Sequence, residues 1–151
     1  MRNELGRNNT AFVHLTWLPY LKATGELKTK PTQHSVRELR SIGIFPDMII
    51  ARSDYPVEME LCTKIAQFCD VPREAVIPLV TSNLLYQIPL ILEDMHVAEI
   101  LLSRLDLAPK QAPDLKAWRW MVNELEREKP KVRIGLVGKY VELHDAYISV
   151  R

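Results

Sequence analysis

Several features that mark specialised classes of protein are missing from this sequence. It has only two cysteines in 151 residues, and its apolar stretches are interrupted well before the roughly 20 residues that a membrane helix needs. Charge of one sign is not in excess either, because 20 Lys and Arg residues are balanced by 19 Asp and Glu, a net charge of +1. The composition therefore argues against binding to nucleic acid or to an anionic membrane, and any anion site must be local. Hydrophobic residues make up 47% of the chain, enough to fill the core of one ordinary domain.

Cysteine chemistry and secretion are both disfavoured. Cys62 and Cys69 are seven residues apart, which on a helix means about 10 Å, too far for a disulfide. No pair of histidines lies near them at a zinc spacing, so we expect two buried free thiols and no metal ligands in this chain. The first ten residues, MRNELGRNNT, lack the apolar centre of a secretory signal. We therefore expect a soluble, cytoplasmic protein.

Short apolar runs alternate with longer helical patterns. β-branched and aromatic residues predict a strand in the first part of 10–21, and apolar runs predict strands at 47–53 and 75–79. Between these runs, apolar residues spaced for a helix predict helices at 31–43 and 57–70. Because parallel neighbours need a crossover connection, this order predicts an α/β fold with a parallel sheet flanked by helices. Ligands in such sheets bind at the carboxyl ends of the strands.

The second half of the chain is mainly helical until a proline. The pattern predicts a helix over 84–105 with a break near Pro89, and an amphipathic helix over 113–129. After Pro130 comes a run typical of a buried strand, and one strand with a short tail cannot complete a sheet. We therefore expect residue 131 onward to begin a second α/β domain.

Lys28 and Lys30 are separated by one residue and precede a proline in LKTKPTQHSVREL, residues 27–39. Pro31 disfavours the helical conformation for Lys30, so the residues before it should be extended. In an extended chain residues two apart point to the same side, so Lys28 and Lys30 should project together.

The same stretch predicts a helix start. A proline suits the first helical turn, Thr32 or Ser35 can cap it, and Ser35 with Glu38 matches a capping box. Free backbone amides beside two ammonium groups would bind a polyanion such as a triphosphate. A solvated basic loop before an ordinary helix is the alternative, and the residues alone leave both open.

Lys64 is a further candidate cation. It lies at the margin of the apolar stripe predicted for the second helix, which consists of Val57, Leu61, Ile65 and Phe68. A lysine whose stem covers the edge of the core is one interpretation, and a third phosphate-binding group is the other. The run GLVGKY, 135–140, is not a Walker A loop, because only two residues separate its glycines and Tyr140 follows the lysine.

Three stretches of the sequence resemble one family, the CTP synthases. They are GELKTKPTQHSVRELRSIGIFPDMIIARSD (25–54), KIAQFCDVPREAVIPL (64–79) and VGKYVELHDAYISV (137–150). The resemblance implies an interior segment of that glutamine-dependent, class I amidotransferase-linked enzyme. Residues 1–107 would be the C-terminal part of its P-loop NTPase-like amidoligase domain, incomplete here, 108–130 a linker helix, and 131–151 the start of the glutaminase domain.

The resemblance also implies chemistry and site residues. In this family ATP phosphorylates UTP and ammonia from glutamine replaces the phosphate to give CTP, with Mg²⁺ on the nucleotides and a homotetrameric assembly. The UTP site, which also takes CTP as inhibitor, would comprise Lys28, Thr29, Lys30, Pro31, Thr32, Gln33 and Lys64. ATP would contact Val80, Thr81 and Ser82 through the backbone, since these side chains differ from the Lys-Asp-Val that is frequent in the family.

The resemblance places the phosphate loop and magnesium carboxylates before residue 1 and the glutaminase triad after residue 151. We therefore expect no catalytic residues in this chain and no activity from it alone. A non-catalytic nucleotide-binding or assembly module, which keeps the triphosphate lysines without the chemistry, is the alternative.

Overall fold

The structure is a computed structural model that describes residues 2–147 and 149–150. Its strands are β1 (Val13–Trp17), β2 (Tyr20–Leu21), β3 (Glu26–Leu27), β4 (Met48–Ser53) and β5 (Val76–Val80). Its α-helices are α1 (Arg2–Leu5), α2 (Lys30–Ser41), α3 (Met59–Cys69), α4 (Ile88–Asp94), α5 (Val97–Arg104) and α6 (Lys116–Glu126). The three strands and the helices predicted between them are confirmed.

The sheet is parallel, with β4 between β1 and β5. Ile50 at the middle of β4 is opposite Leu15 on one side and Ile77 on the other. A separate antiparallel hairpin, β2–β3, follows β1 and turns at Gly25, whose φ of 67° suits a residue without a Cβ. The hairpin leads directly into α2, so it positions the residues that precede that helix.

Helices cover both faces of the sheet because β4 alternates its side chains between them. Ile49 and Ala51 pack with residues of α2 and α3, including Val36 and Ile65. On the opposite face Met48 and Ile77 of the sheet pack with Val97 of α5. The predicted α/β architecture is therefore present as a three-layer arrangement.

The predicted apolar stripe packs against the core except at Phe68. Ile65 is buried, and Val57 and Leu61 pack against the same cluster, whereas Phe68 is 60% exposed. Cys62 and Cys69 are buried beside Ile65. The two cysteines are free thiols, as expected, and burial raises the pKa of each. The small side chains of Cys62 and Cys69 fit between α3 and the sheet, where a phenylalanine would be too large for a close-packed interior.

The helical break was predicted at the wrong residue. Pro89 lies in the first turn of α4, where a missing amide hydrogen costs no hydrogen bond. The chain instead breaks at His96, which has a left-handed φ of 56° and precedes α5. None of the helices in the described residues is long and apolar enough to cross a membrane.

The predicted strand after Pro130 does not form. Residues 131–138 have no regular secondary structure, and Val132, Ile134 and Val137 are at least 83% exposed. A strand needs a neighbour for its hydrogen bonds, and no other strand of the described residues runs beside this segment. Ile148 and Arg151 of the predicted second domain lie outside the described residues.

Candidate functional site

Helix α2 begins at Lys30, one residue before the predicted start. Thr29 immediately before it has φ −91° and ψ −14°, so the segment is not extended there as the sequence predicted. The side chain of Gln33 donates a hydrogen bond to the Thr29 hydroxyl at 3.1 Å, which holds this first turn together. Pro31 fits because the first-turn amides have no partner within a helix. The chain is therefore helical at Lys30 despite the preference of a residue before proline for an extended conformation.

The hydroxyl groups of Thr32 and Ser35, predicted to cap α2, bond to residues of β1 instead. The Thr32 hydroxyl donates to the Thr16 hydroxyl of β1 at 3.0 Å, and Thr32 is only 1% exposed. Ser35 lies inside the helix, where its hydroxyl is 2.8 Å from His14 Nε2. Both hydroxyls point to neighbouring groups of the sheet, so neither caps α2. Burial lowers the pKa of His14.

Lys28 lies at the end of the hairpin and is already paired. Its ammonium group donates to the Glu26 carboxylate, and both side chains are partly exposed. The buried Leu27 separates the two residues, so they project to the same side of the strand. The hydrogen bond from Lys28 is the main cause that lowers the pKa of Glu26, with smaller contributions from Thr24 and from the charge of Lys64.

Lys64 extends from α3 toward the same hairpin. It lines a cavity of about 360 Å³ together with Glu26, Glu58, Glu60 and the side chain of Tyr20. Tyr20 stacks on Tyr55 at the edge of this cavity, with ring centroids 4.1 Å apart. Lys64 and Glu26 therefore line one cavity, and Lys28 pairs with Glu26 directly.

Lys30 and Gln33 line a second cavity, of about 330 Å³, on α2. The same cavity is bordered by Arg37 and Arg40, and Arg40 donates to the Cys69 carbonyl at the end of α3. The structure thus assigns Lys30 and Gln33 to a cavity separate from that of Lys64, and Lys28 is linked to the cavity of Lys64 through Glu26.

The residues predicted to contact ATP lie at the carboxyl end of β5. Val80 is the last residue of that strand, and Thr81 and Ser82 follow it. All three line one open cavity of about 640 Å³, which the C-terminal part of α6 also borders. This is the edge of a parallel sheet where ligands bind.

The hydrogen bonds of this segment leave few side-chain groups for a ligand. The Thr81 amide donates to the Ser53 carbonyl at 2.8 Å, and its hydroxyl donates to the Asp54 carboxylate at 2.8 Å. The Ser82 hydroxyl is 2.6 Å from Gln87 Oε1. A contact through the backbone carbonyls would therefore disturb the segment least.

No group of three or more His, Cys, Asp or Glu residues that could hold a metal ion occurs in the part of the chain that the structure describes. The acidic side chains of the cavity beside Lys64 do not form such a group.

Sequence reasoning missed Glu26. The residue is two positions before Lys28, and the buried leucine between them already indicates that both point to one side. The prediction used the rule that residues two apart in an extended chain point to the same side to pair Lys28 with Lys30. The extended segment is β3, which lies before Lys28, so the rule pairs Lys28 with Glu26 instead.

Comparisons with known proteins agree with this architecture. Residues 1–107 match the family described as the CTP synthase N-terminus. The chain is 54% identical over 151 residues to a CTP synthase of Dehalococcoides mccartyi, covering 100% of this chain and 28% of the relative. It is 53% identical over 150 residues, 99% of this chain, to that of Roseiflexus sp. (27% of the relative). It is 50% identical over 151 residues, 100% of this chain, to that of Methanothermobacter thermautotrophicus (28% of the relative).

The chain therefore spans about 28% of the length of these relatives. The family that matches describes the N-terminus of the enzyme, which replaces the expected interior segment as the assignment of residues 1–107. With a parallel sheet flanked by helices, and with this match over more than two thirds of its residues, the chain belongs to the CTP synthase N-terminal family.

Proposed function

We propose that this chain supplies the triphosphate-binding part of a CTP synthase that aminates UTP. Residues 1–107 would then belong to the N-terminal amidoligase part of that enzyme, 108–130 would form the linker helix and 131–151 the beginning of the glutaminase domain. The family assignment and the identities of 50–54% to CTP synthases over the whole chain support this proposal. A cytoplasmic location stays a prediction.

The proposed reaction has two steps. ATP transfers its γ-phosphoryl group to O4 of the uracil ring, which turns a poor leaving oxygen into a good one. Ammonia released from glutamine then attacks C4, and inorganic phosphate leaves with the original oxygen. Mg²⁺, carried by the nucleotide phosphates, would neutralise charge during such a transfer.

One observation carries the assignment of the UTP site to this chain. Lys28 at the end of the hairpin donates to the Glu26 carboxylate, and Lys64 of α3 lines the same cavity as Glu26. Two ammonium groups from separate elements near one anion are an arrangement that a phosphate can use. The 360 Å³ cavity beside them offers room for part of a nucleotide.

The remaining proposed contacts lie on α2. Lys30 and Gln33 would meet the ligand with their side chains, and Pro31 is exposed at the same end of the helix. Thr29 and Thr32 are buried, so they would contribute through the backbone of the first turn. Lys64 and Lys30 line separate cavities. This separation is compatible with a site that a second copy of the chain completes, as in the proposed homotetramer.

ATP is proposed to bind at the carboxyl end of β5 beside Val80, Thr81 and Ser82. Their shared cavity at the edge of the sheet supports this assignment. The hydrogen bonds of Thr81 favour a contact through the backbone.

A non-catalytic module that binds nucleotide without turnover is the alternative. The experiment that separates the two is CTP formation by the full-length protein from UTP and ATP, with glutamine or ammonia as nitrogen donor. We expect turnover with both donors, a raised KM for UTP in Lys64→Ala, and no turnover from residues 1–151 alone. A full-length protein that binds UTP but forms no CTP would contradict the enzymatic proposal.

A further inference from the structure

Glu26 binds one of the lysines that the proposed triphosphate site uses. Its carboxylate accepts a hydrogen bond from the Lys28 ammonium group, and it lines the same cavity as Lys64. These are two of the three lysines that the proposed UTP site uses. A phosphate oxygen cannot accept the same ammonium hydrogen while Glu26 holds it.

The backbone around this ion pair is fixed, whereas the side chains can exchange partners. Leu21 and Glu26 pair across the hairpin, and the Lys28 amide donates to the Pro19 carbonyl at 2.9 Å. The Glu26 and Lys28 side chains are 55% and 34% exposed. Glu26 can therefore swing into solvent without any change in the fold.

We propose that Glu26 is an affinity-setting residue of the triphosphate site, an intramolecular anion that competes with the ligand for Lys28 and Lys64. The inference rests on the proposed function of these two lysines. Glu26 contributes one negative charge, whereas a nucleoside triphosphate brings several, so the triphosphate displaces it and Lys28 changes partner. Until then the ion pair partly offsets the charge of Lys28 and so weakens its attraction for weakly charged anions.

The expected effect is modest because the ion pair is exposed. Pairs of this kind contribute little in water, which corresponds to a gain of about two- to fivefold in affinity when Glu26 no longer competes. The gain should shrink at high salt, since exposed charges are screened over about 10 Å at 0.1 M.

The test measures UTP and inorganic triphosphate binding to the full-length protein at low ionic strength. Glu26→Gln removes the competing charge, and we expect it to bind both probes about two- to fivefold more tightly than the wild type. Glu26→Asp, which keeps the charge on a shorter side chain, should lie between the two.

Glu60→Gln is the matched control. Glu60 lines the same cavity and loses the same charge, but it forms no hydrogen bond to Lys28. We expect a smaller gain than in Glu26→Gln. An equal gain in both variants would mean a general charge effect and would overturn the inference.

The outcomes also separate this inference from the function on which it rests. If Lys28→Ala weakens UTP binding while Glu26→Gln leaves it unchanged or weaker, the site stands and the competition is refuted. If Lys28→Ala binds UTP as tightly as the wild type, both the site assignment and the competition fail.

Discussion

The hydroxyl of Thr32 donates a hydrogen bond to the hydroxyl of Thr16 across the buried junction of α2 and β1, at 3.0 Å. This bond ties the helix that carries the proposed phosphate site to the edge strand of the sheet. The sequence predicted Thr32 as a cap and a ligand contact. In the structure its hydroxyl instead stabilises the packing of α2 against β1.

We expect Thr32→Val to destabilise the protein by about 1–3 kcal/mol, because it leaves the Thr16 hydroxyl buried without its partner. Denaturant unfolding followed by the fluorescence of Trp17, which adjoins Thr16, would measure the loss. The double variant Thr16→Val with Thr32→Val should recover much of it, since both polar partners are then replaced by apolar groups of similar shape. Additive losses in the double variant would refute the coupling.

Asp47 should make the stability of this domain depend on pH. Burial favours its neutral form, but hydrogen bonds from the Phe12 amide at 2.9 Å and from Arg104 and Arg2 at 2.7 and 3.1 Å outweigh it. The pKa of Asp47 is therefore lowered. Its contribution is present above the unfolded-state pKa of about 3.9 and is lost as the pH falls through the lower folded-state value.

The variant Asp47→Asn tests this dependence. We expect a loss of about 1–3 kcal/mol at pH 7, because Arg2 and Arg104 lose a charged acceptor. The difference from the wild type should narrow as the pH falls below about 3.9 toward the lowered folded-state pKa, where the wild-type carboxylate also becomes neutral. Thermal unfolding across this range measures it, and a gap that widens toward acid would contradict the assignment.

Asp70 ends α3 in a left-handed conformation, with a φ of 47°. Glycine adopts this conformation without steric cost, so we expect Asp70→Gly to stabilise the protein by up to about 1 kcal/mol. The contact with Arg40 is long, 3.8 Å, and the Asp70 side chain is 92% exposed, so little is lost with it. Asp70→Ala should instead destabilise by about 1 kcal/mol. Unfolding midpoints that place alanine above glycine would exclude this explanation.

Thr81→Ala addresses the proposed ATP contact. The Thr81 hydroxyl is bonded to Asp54 within the protein, so removing it should leave the KM for ATP nearly unchanged in the full-length enzyme. Steady-state kinetics at saturating UTP would measure this. A large increase in KM without loss of thermal stability would mean that the hydroxyl itself contacts the nucleotide.

The sequence predicted the sheet well and the turns less well, for physical reasons. β4 and β5 are recognised because buried parallel strands are continuous apolar runs. The start of α2 was predicted to within one residue, but its cap was not, because Ser35 fits a capping box locally, whereas its hydroxyl contacts His14, which is 21 residues away. Such a partner depends on the tertiary fold.

The strand predicted after Pro130 does not form because a partner is missing among the described residues, not because one was overlooked. Its residues favour a strand, but in the described part of the chain no edge pairs with it, and propensity alone does not supply hydrogen bonds. At the candidate site Lys28 and Lys30 were proposed from their spacing, and the Glu26 partner of Lys28 became visible only in the structure.

The most direct test of the central claim is the thermal shift of the full-length protein on adding UTP or CTP. Wild type, a Lys28→Ala and Lys30→Ala double variant, and a matched Lys110→Ala control in the exposed segment before α6 should be compared. We expect both nucleotides to raise the melting temperature of the wild type and the control, because a ligand that binds only the folded state stabilises it. The rise should be much smaller in the double variant, and an undiminished rise there would contradict the assignment of the triphosphate site.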